Sequence, residues 1–399
     1  MSLGAAAAVP QESAQRARAV GVLGGGQLGR MFVHAAQRMG WRVLVLDPEV
    51  DGPAAQAADR VLRAAYDDPL ALDELARACV AVTTEFENVP AASLQALSGR
   101  VMLAPAAPAV HICQHRAREK AHFVASGVAC APYAVIEREA DLAAVGEALF
   151  PGVLKTSQLG YDGKGQCGVD DRASLGRAWR ETLGGLPCVL EARLPIRCEL
   201  SVVLARGVDG AMVHLPVQQN LHRDGILALT QVPAPDIDAA TAAQLVALAQ
   251  RLAQSMAYVG VLCVEFFVLD DGRVLANEMA PRPHNSGHAS IDACDVSQFE
   301  LQLRTMLGLP LVMPRQHSAA VMLNLLGDLW FEEGSSQAPP REPDWARLLA
   351  LPGAHLHRYG KAQPRPGRKM GHLTFTAATP AQARATALQA ARVLGLPAF

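Results

Sequence analysis

At 399 residues the chain exceeds what one hydrophobic core usually organises, which predicts two or three packed domains. Half of the residues are hydrophobic, 19% are charged and the formal net charge is −2, a balance that excludes bulk attraction to nucleic acid or to a membrane surface. The eight cysteines form no C-x-x-C pair, which excludes a zinc knuckle or a disulfide framework, and no run reaches the roughly 20 apolar residues of a membrane span. A cytoplasmic enzyme with reduced thiols is the expectation.

Residues 1–18 read as a disordered leader, because the apolar stretch Ala5 to Val9 is too short for a signal peptide. From Ala19 the pattern is strand (Ala19 to Leu23), glycine-rich turn (Gly24 to Gly29), amphipathic helix (to Met39) and strand (Trp41 to Leu46) ending at Asp47. Such a unit opens a parallel sheet. A helix from Pro69 to Ala78, the apolar run Cys79 to Thr83 and a helix after Pro90 continue the alternation of a doubly wound α/β domain. A helix around His115 to Ser126 then leads into extended segments and a glycine-rich hairpin between Leu154 and Val169, a shift towards strand pairs that marks a second domain. Within it, Val261 to Leu269, the turn Asp270-Asp-Gly272 and Val274 to Glu278 predict an antiparallel hairpin, and Leu301 to Leu307 a closing helix before Pro310. The last segment begins near Ala319, is interrupted by a Pro- and Gly-rich stretch at Glu333 to Pro343, and ends in short strands and a helix from Pro380 to Leu394.

Five features carry candidate chemistry. Gly24, Gly26 and Gly29 satisfy G-x-G-x-x-G between strand and helix, with Asp47 where a ribose-binding acid would sit; the turn suits a dinucleotide, another phosphorylated ligand at a helix N-terminus, or plain strand–helix packing. Lys155 is followed by Gly160-Tyr-Asp-Gly-Lys-Gly-Gln166, whose glycines let backbone N–H groups approach phosphate oxygens while Lys155 and Lys164 supply charge; Lys164 precedes Gly165, so this is not a Walker A loop. Glu265 and Glu278 lie in apolar strands on either side of a tight turn, where carboxylates rarely sit unpaired; with the amide of Asn277 they offer an oxygen-rich site for Mg²⁺, or else two core salt bridges. Pro281 to His288 is a stiff polar loop presenting Arg282, His284, Asn285 and Ser286 beside that site. Lys361 to His372 clusters Arg365, Arg368 and Lys369 as a basic loop suited to a phosphomonoester or simply solvated.

Taken in order, Gly24-Gly-Gly-Gln-Leu-Gly-Arg30, Gly160 to Gln166, Asn220-Leu-His-Arg-Asp-Gly-Ile226, Asn277 to His288 and Arg365-Pro-Gly-Arg-Lys-Met-Gly-His372 resemble the ATP-grasp superfamily, and within it the N5-carboxyaminoimidazole ribonucleotide synthetases. The resemblance implies an ATP-grasp fold of mixed α/β and α+β character: an N-terminal Rossmann-like domain (19–110), a central ATP-grasp domain (111–315) with a small mobile lid at about 130–195, and a β-rich C-terminal domain (316–399). It implies ATP, Mg²⁺ and bicarbonate as cofactor and co-substrates, 5-aminoimidazole ribonucleotide as substrate, a homodimer, and a separate mutase that takes the product. Residue by residue, it implies that Arg116, Lys155, Gly160, Tyr161, Asp162, Gly163, Lys164, Gly165 and Gln166 hold ATP phosphates, and that Glu191, Ala192, Arg193, Leu194 and Glu199, with His222, face adenine and ribose. Glu265 and Glu278 would ligate magnesium, and Asn277 and Glu278 would also contact ATP; Gln27, Leu28, Glu85, Ser286, Lys361, Arg368 and Lys369 would hold the ribonucleotide; Arg282, His284 and Asn285 would orient bicarbonate or the acyl phosphate while Tyr161 and Asp162 close over the substrate.

The rival readings are a formate-using glycinamide ribonucleotide transformylase of the same superfamily, an NAD-dependent oxidoreductase built on the Gly24 turn, and a non-catalytic nucleotide-binding module. The oxidoreductase leaves the Lys155 to Gln166 segment and the paired glutamates unexplained.

Overall fold

The computed structural model describes residues 19–49, 51–160, 163–331 and 339–399. The expected leader, Tyr161, Asp162 and part of the Glu333 to Pro343 interruption lie outside them.

The chain begins with β1 (Ala19–Leu23), α1 (Gln27–Arg38), β2 (Arg42–Leu46), β3 (Arg60–Leu62), α2 (Pro69–Ala78), β4 (Ala81–Thr84), α3 (Ala91–Leu97) and β5 (Met102–Leu103). The strands form a parallel sheet in the order β3-β2-β1-β4-β5. β1 is buried on both faces, which is why it reads as an unbroken apolar run: Ala19 and Leu23 pack against Leu72 and Leu75 of α2, Val20 and Val22 against Phe32 and Val33 of α1. Asp68 starts α2 by accepting the N–H groups of Leu70 and Ala71, with Pro69 at the first helical position.

After α4 (Ala107–Cys113) and α5 (Arg116–Ala125), a second sheet is built from β6 (Tyr133–Ile136), β7 (Gly152–Thr156) and β8 (Gln166–Val169), then α6 (Arg172–Arg177) and β9 (Cys188–Ala192). Its order is β6-β9-β7-β8, and every pairing is antiparallel. Leu154, Leu190 and Trp179 fill its own small core, so this layer is packed independently of the other two sheets.

The largest sheet comprises β10 (Ile196–Arg206), β11 (Met212–His214), β12 (Gln218–Arg223), β13 (Ile226–Val232), β14 (Gly260–Leu269) and β15 (Val274–Ala280), continued by β16 (Ala319–Leu326), β17 (Ala354–Arg358) and β18 (Lys369–Ala377). Among the described residues four α-helices interleave with these strands: α7 (Ala239–Ser255), the short α8 (Ser290–Ala293), α9 (Gln298–Met306) and α10 (Trp345–Leu349); α11 (Pro380–Val393) follows the last strand. The order is β15-β14-β10-β12-β13-β16-β18-β17, with β11 on β10, and the β13–β16 pairing carries the sheet across residue 316 without a break.

No element is assigned from sequence between Val169 and Val261, yet the 17-residue α7 lies there. Asp238 caps it through the N–H of Thr241, and its stripe Leu245, Ala249, Leu252 and Ala253 packs on Val202, Leu204, Leu262 and Val264. α9 covers both β14 and the N-terminal sheet: Phe299 and Leu303 join the cluster of Val20, Val22 and Phe32. That shared helix fixes the first sheet relative to the third. Among the described residues no helix is long and apolar enough to cross a membrane.

Candidate active site

A cavity of about 950 Å³ opens where the three sheets meet, lined by residues of β7, β14 and β15, the loops after β4 and β15, the start of α5, and the turn before β18. Its floor is the β14–β15 hairpin. The register sets Glu265 directly opposite Glu278, so two carboxylates project side by side from strands whose only other polar residue is Asn277. Burial pushes the Glu265 carboxyl up, and the charge of Glu278 adds to it. Burial acts on Glu278 in the same sense, but Arg116 and Lys155 outweigh it and hold that carboxyl below the usual range. The Arg116 guanidinium donates to Glu278 at 3.0 Å.

The buried Oδ1 of Asn277, next to Glu278, has no hydrogen-bond partner. Two facing carboxylates and an unpaired amide oxygen match the hard donor set of Mg²⁺. Among the described residues no three His, Cys, Asp or Glu side chains converge as a self-contained metal site.

Cations surround the floor. Lys155 on β7 lies 3.2 Å from Glu191 Oε2 on β9, and Lys120 of α5, wholly buried, reaches the same oxygen at 3.2 Å. Lys120 also donates to the carbonyl of Asn277 at 3.0 Å, tying the second sheet to the hairpin of the third. Burial lowers the Lys155 pKa despite Glu191. Beside Lys120, the buried Glu119 accepts the N–H of Met279; burial pushes its carboxyl up to about 8. At the other end Arg282 donates to Glu87 at 2.6 Å, and each outweighs the effect of burial on the other, keeping both charged. His284 Nε2 lies 3.6 Å from Glu265, and its Nδ1 2.9 Å from Ser286 Oγ. Burial, reinforced by Arg282, holds His284 well below the ordinary histidine value, so it is neutral at pH 7. His222 pairs with Glu199 at 2.5 Å on the neighbouring strands β12 and β10.

The N–H groups of the four glycines in the Gly24 turn are all taken up within the fold, that of Gly24 by the carbonyl of Leu46 and that of Gly25 by Asp47. Gly26 and Gly29 donate their N–H groups to Glu85 at 2.6 and 2.8 Å, so this carboxylate takes the place of a side-chain cap at the start of α1. Asp47 is buried and accepts from Gly25 at 2.6 Å, Glu49 at 2.7 Å and the Tyr66 hydroxyl at 2.6 Å. It is satisfied from within and is not placed to bind a ribose. A Cβ at position 26 would stand 2.1 Å from Glu85 Oε1, so a larger residue there would push the Glu85 carboxylate off the start of α1.

Comparison with known proteins sharpens the reading. Residues 17–114 match the ribonucleotide synthetase preATP-grasp domain, 121–299 the ATP-grasp domain and 320–386 the phosphoribosylaminoimidazole carboxylase C-terminal domain. The N5-carboxyaminoimidazole ribonucleotide synthase of Brucella melitensis biotype 1 is 42% identical over 358 residues, covering 89% of this chain and 95% of that protein. The chain belongs to the N5-carboxyaminoimidazole ribonucleotide synthase family. The ADP complex of one N5-carboxyaminoimidazole ribonucleotide synthetase superposes with a TM-score of 0.87 at 36% identity, covering 95% of this chain and 97% of that one. The Aspergillus clavatus N5-carboxyaminoimidazole synthase, solved with ADP and 5-aminoimidazole ribonucleotide, gives 0.85 at 31% identity, covering 95% and 99%. As a synthase of this family with the ATP-grasp fold, the chain is an ATP-dependent ligase of purine biosynthesis. The NAD oxidoreductase, transformylase and non-catalytic readings fall with that result.

Most of the residues singled out from this synthase's sequence meet at the one cavity. Gln27, Leu28, Glu85, Arg116, Lys155, Gly160, Gly163, Lys164, Gln166, Glu199, His222, Glu265, Asn277, Glu278, Arg282, His284, Asn285, Lys361, Arg368 and Lys369 line it. Gly165, Glu191, Ala192, Arg193, Leu194 and Ser286 are not part of its wall. Gly165 packs under Thr156, Ser286 lies fully buried behind His284, and the N–H groups of Ala192 and Arg193 donate to the carbonyls of Pro132 and Pro151. Tyr161 and Asp162 lie outside the described residues. Sequence reasoning passed over Glu87, Glu119 and Tyr359, which line the cavity, and Lys120 just behind it. The first two stand close to Glu85 and Arg116 in the sequence, a proximity that was the available signal.

Proposed function

We propose that the cavity takes ATP, bicarbonate and 5-aminoimidazole ribonucleotide together, and that the chain joins them to N5-carboxyaminoimidazole ribonucleotide, ADP and phosphate by way of carboxyphosphate. The observation that carries the reading is the Glu265–Glu278 pair at the floor of a cavity ringed by Arg116, Lys155, Arg282, Lys361, Arg368 and Lys369. Such a ring suits three anionic reactants that repel one another in water.

Arg116, Lys155 and the segment Gly160 to Gln166, which includes Tyr161 and Asp162, hold the ATP phosphates. Glu191 to Leu194, Glu199 and His222 flank adenine and ribose; Glu191 also anchors Lys155 from behind. Glu265 and Glu278, beside Asn277, would hold Mg²⁺, which would supply neutralisation of charge on the transferring phosphoryl group. Bicarbonate oxygen attacks the γ-phosphorus and ADP leaves. The amine of the ribonucleotide then forms a bond to the carboxyl carbon, directly or after local release of CO₂, while the C–O bond to phosphate breaks and the amine loses a proton. Arg282, His284 and Asn285 orient the carboxyl donor; both amide atoms of buried Asn285 are unpaired, as a group awaiting a ligand would be. Gln27, Leu28, Glu85, Ser286, Lys361, Arg368 and Lys369 hold the ribonucleotide, Ser286 through its bond to His284. The units 19–110, 111–315 and 316–399, with a lid at about 130–195, form the working molecule, as a cytoplasmic homodimer whose product passes to a separate mutase.

The test is ADP release by the purified chain with Mg²⁺ and ATP. Dependence on both bicarbonate and 5-aminoimidazole ribonucleotide is expected; release that needs neither, or needs formate and glycinamide ribonucleotide, would overturn the reading. Arg282→Ala is expected to abolish carboxylation, and full activity would remove Arg282 from the role given to it.

A further inference from the structure

The loop that carries His284 and His288 has little regular structure of its own, only a single 3₁₀ turn at Asn285–Gly287. A side chain from another element shapes it. Gln298, the first residue of α9, is completely buried. Its Oε1 accepts the N–H of His284 at 2.8 Å and its Nε2 donates to the carbonyl of His284 at 2.7 Å, so the carboxamide pairs with that peptide as a neighbouring strand would. A backbone N–H only donates and a backbone carbonyl only accepts, which settles the orientation of the carboxamide. The second Nε2 hydrogen then points at His288 Nδ1, 3.1 Å away, and that nitrogen must accept. Neutral His288 therefore carries its proton on Nε2.

The surrounding residues hold this arrangement in place. A Cβ at Gly287 would lie 2.4 Å from Gln298 Oε1. Ser290 Oγ donates to the carbonyl of Gly287 at 2.6 Å and accepts the N–H of Gln298 at 3.0 Å. One turn further along α9, buried Gln302 donates to Thr83 at 3.0 Å and to the carbonyl of Ala104 at 2.8 Å, and accepts the N–H of Val261 at 2.6 Å. The same helix thus registers the His284 loop against β4, the strand that leads into Glu85 and Glu87.

We propose that Gln298 is a positioning residue for carboxyl transfer: by pairing with the His284 peptide and with His288 it keeps His284 aimed into the cavity beside Glu265. The proposal rests on the reading that Arg282, His284 and Asn285 hold the carboxyl donor. With the loop loosened, the first half-reaction still forms ADP, but water meets carboxyphosphate in place of the amine and returns bicarbonate and phosphate. The signature is ADP without its equivalent of N5-carboxyaminoimidazole ribonucleotide.

The experiment follows ADP and N5-carboxyaminoimidazole ribonucleotide in the same reaction, for wild type, Gln298→Glu and Gln298→Met. The first variant keeps the acceptor and loses both donors; the second loses all three bonds. Product formed per ADP is expected to fall on the order of tenfold in each, with the KM for ATP within about twofold of wild type. Variants that stay fully coupled would overturn the proposal. If neither variant folds, amide hydrogen exchange on the wild type decides: slow exchange at the His284 N–H supports the clamp, and exchange as fast as an open loop overturns it. Wild type that releases no ADP in response to bicarbonate and ribonucleotide would instead overturn the functional reading, leaving the exchange result to judge the clamp by itself.

Discussion

Two pairs of acids lie beside glycine-bearing turns in this protein, and their surroundings differ in kind. Asp47 turns inward, where backbone N–H groups and the Tyr66 hydroxyl satisfy it, and Glu85 accepts the N–H groups of Gly26 and Gly29 while keeping its place in the cavity wall. Glu265 and Glu278 turn towards the cavity, where Arg116 donates to Glu278 and His284 lies 3.6 Å from Glu265, beside the unpaired oxygen of Asn277. Carboxylates that meet their donors within the fold hold structure together. Carboxylates placed together without enough donors are set up for something that arrives.

The largest effect should come from the hairpin. Glu278→Gln is expected to lower bicarbonate-dependent ADP release on the order of 10³-fold, because a donor to the phosphoryl-transfer site is lost while the strand pairing is not. Steady-state kinetics at saturating ATP and Mg²⁺ would check it, and near-normal turnover would place the hairpin in the same class as the Gly24 turn. The turn should answer in the opposite currency: Asp47→Asn puts an NH₂ against an N–H or hydroxyl donor and is expected to cost about 1–3 kcal/mol of stability in urea titration. Turnover of the folded variant should stay within severalfold of wild type, and a collapse of turnover with stability unchanged would break the contrast.

The smallest effect extends the contrast to histidine. His372 is fully buried, hydrogen-bonded to the Tyr359 hydroxyl at 2.9 Å and stacked on His357, and burial, with His288 and His357 adding to it, holds its pKa well below the ordinary value. The unfolded chain therefore takes up a proton at this residue near pH 6.5 while the folded chain does not, and wild type loses stability as pH falls through that point. His372→Gln removes the titration. Its destabilisation should be smaller at pH 5.5 than at pH 7.5 by up to about 1.4 kcal/mol, measured as paired denaturant midpoints; an equal or larger cost at the lower pH would mean that His372 is charged in the folded state.

Local pattern made several elements legible. β1, the Gly24 turn and α1 follow from an apolar run, three glycines and a helical period, and the β14–β15 hairpin from two apolar runs around Asp270-Asp-Gly272. α9 is visible as Leu301 to Leu307, but its first turn starts at Gln298 behind the Ser297 cap, and polar Gln298 and Gln302 carry no apolar period. α7 escaped because its buried stripe is half alanine, a residue that marks neither face strongly.

What the sequence by itself determined is the set of chemical groups and their local frames: glycines where backbone must come close, two glutamates on facing strands, and basic loops stiffened by proline. Tertiary structure alone decided which groups face the cavity and which are consumed within the fold. Glu85 closes the start of α1 across a separation of 59 residues, Lys120 meets the carbonyl of Asn277 across 157, and Arg282 meets Glu87 across 195. Such contacts leave no periodic mark in a sequence, because hydrogen bonds and ion pairs depend on distance in space, and distance across separate sheets is set only when their cores pack against one another.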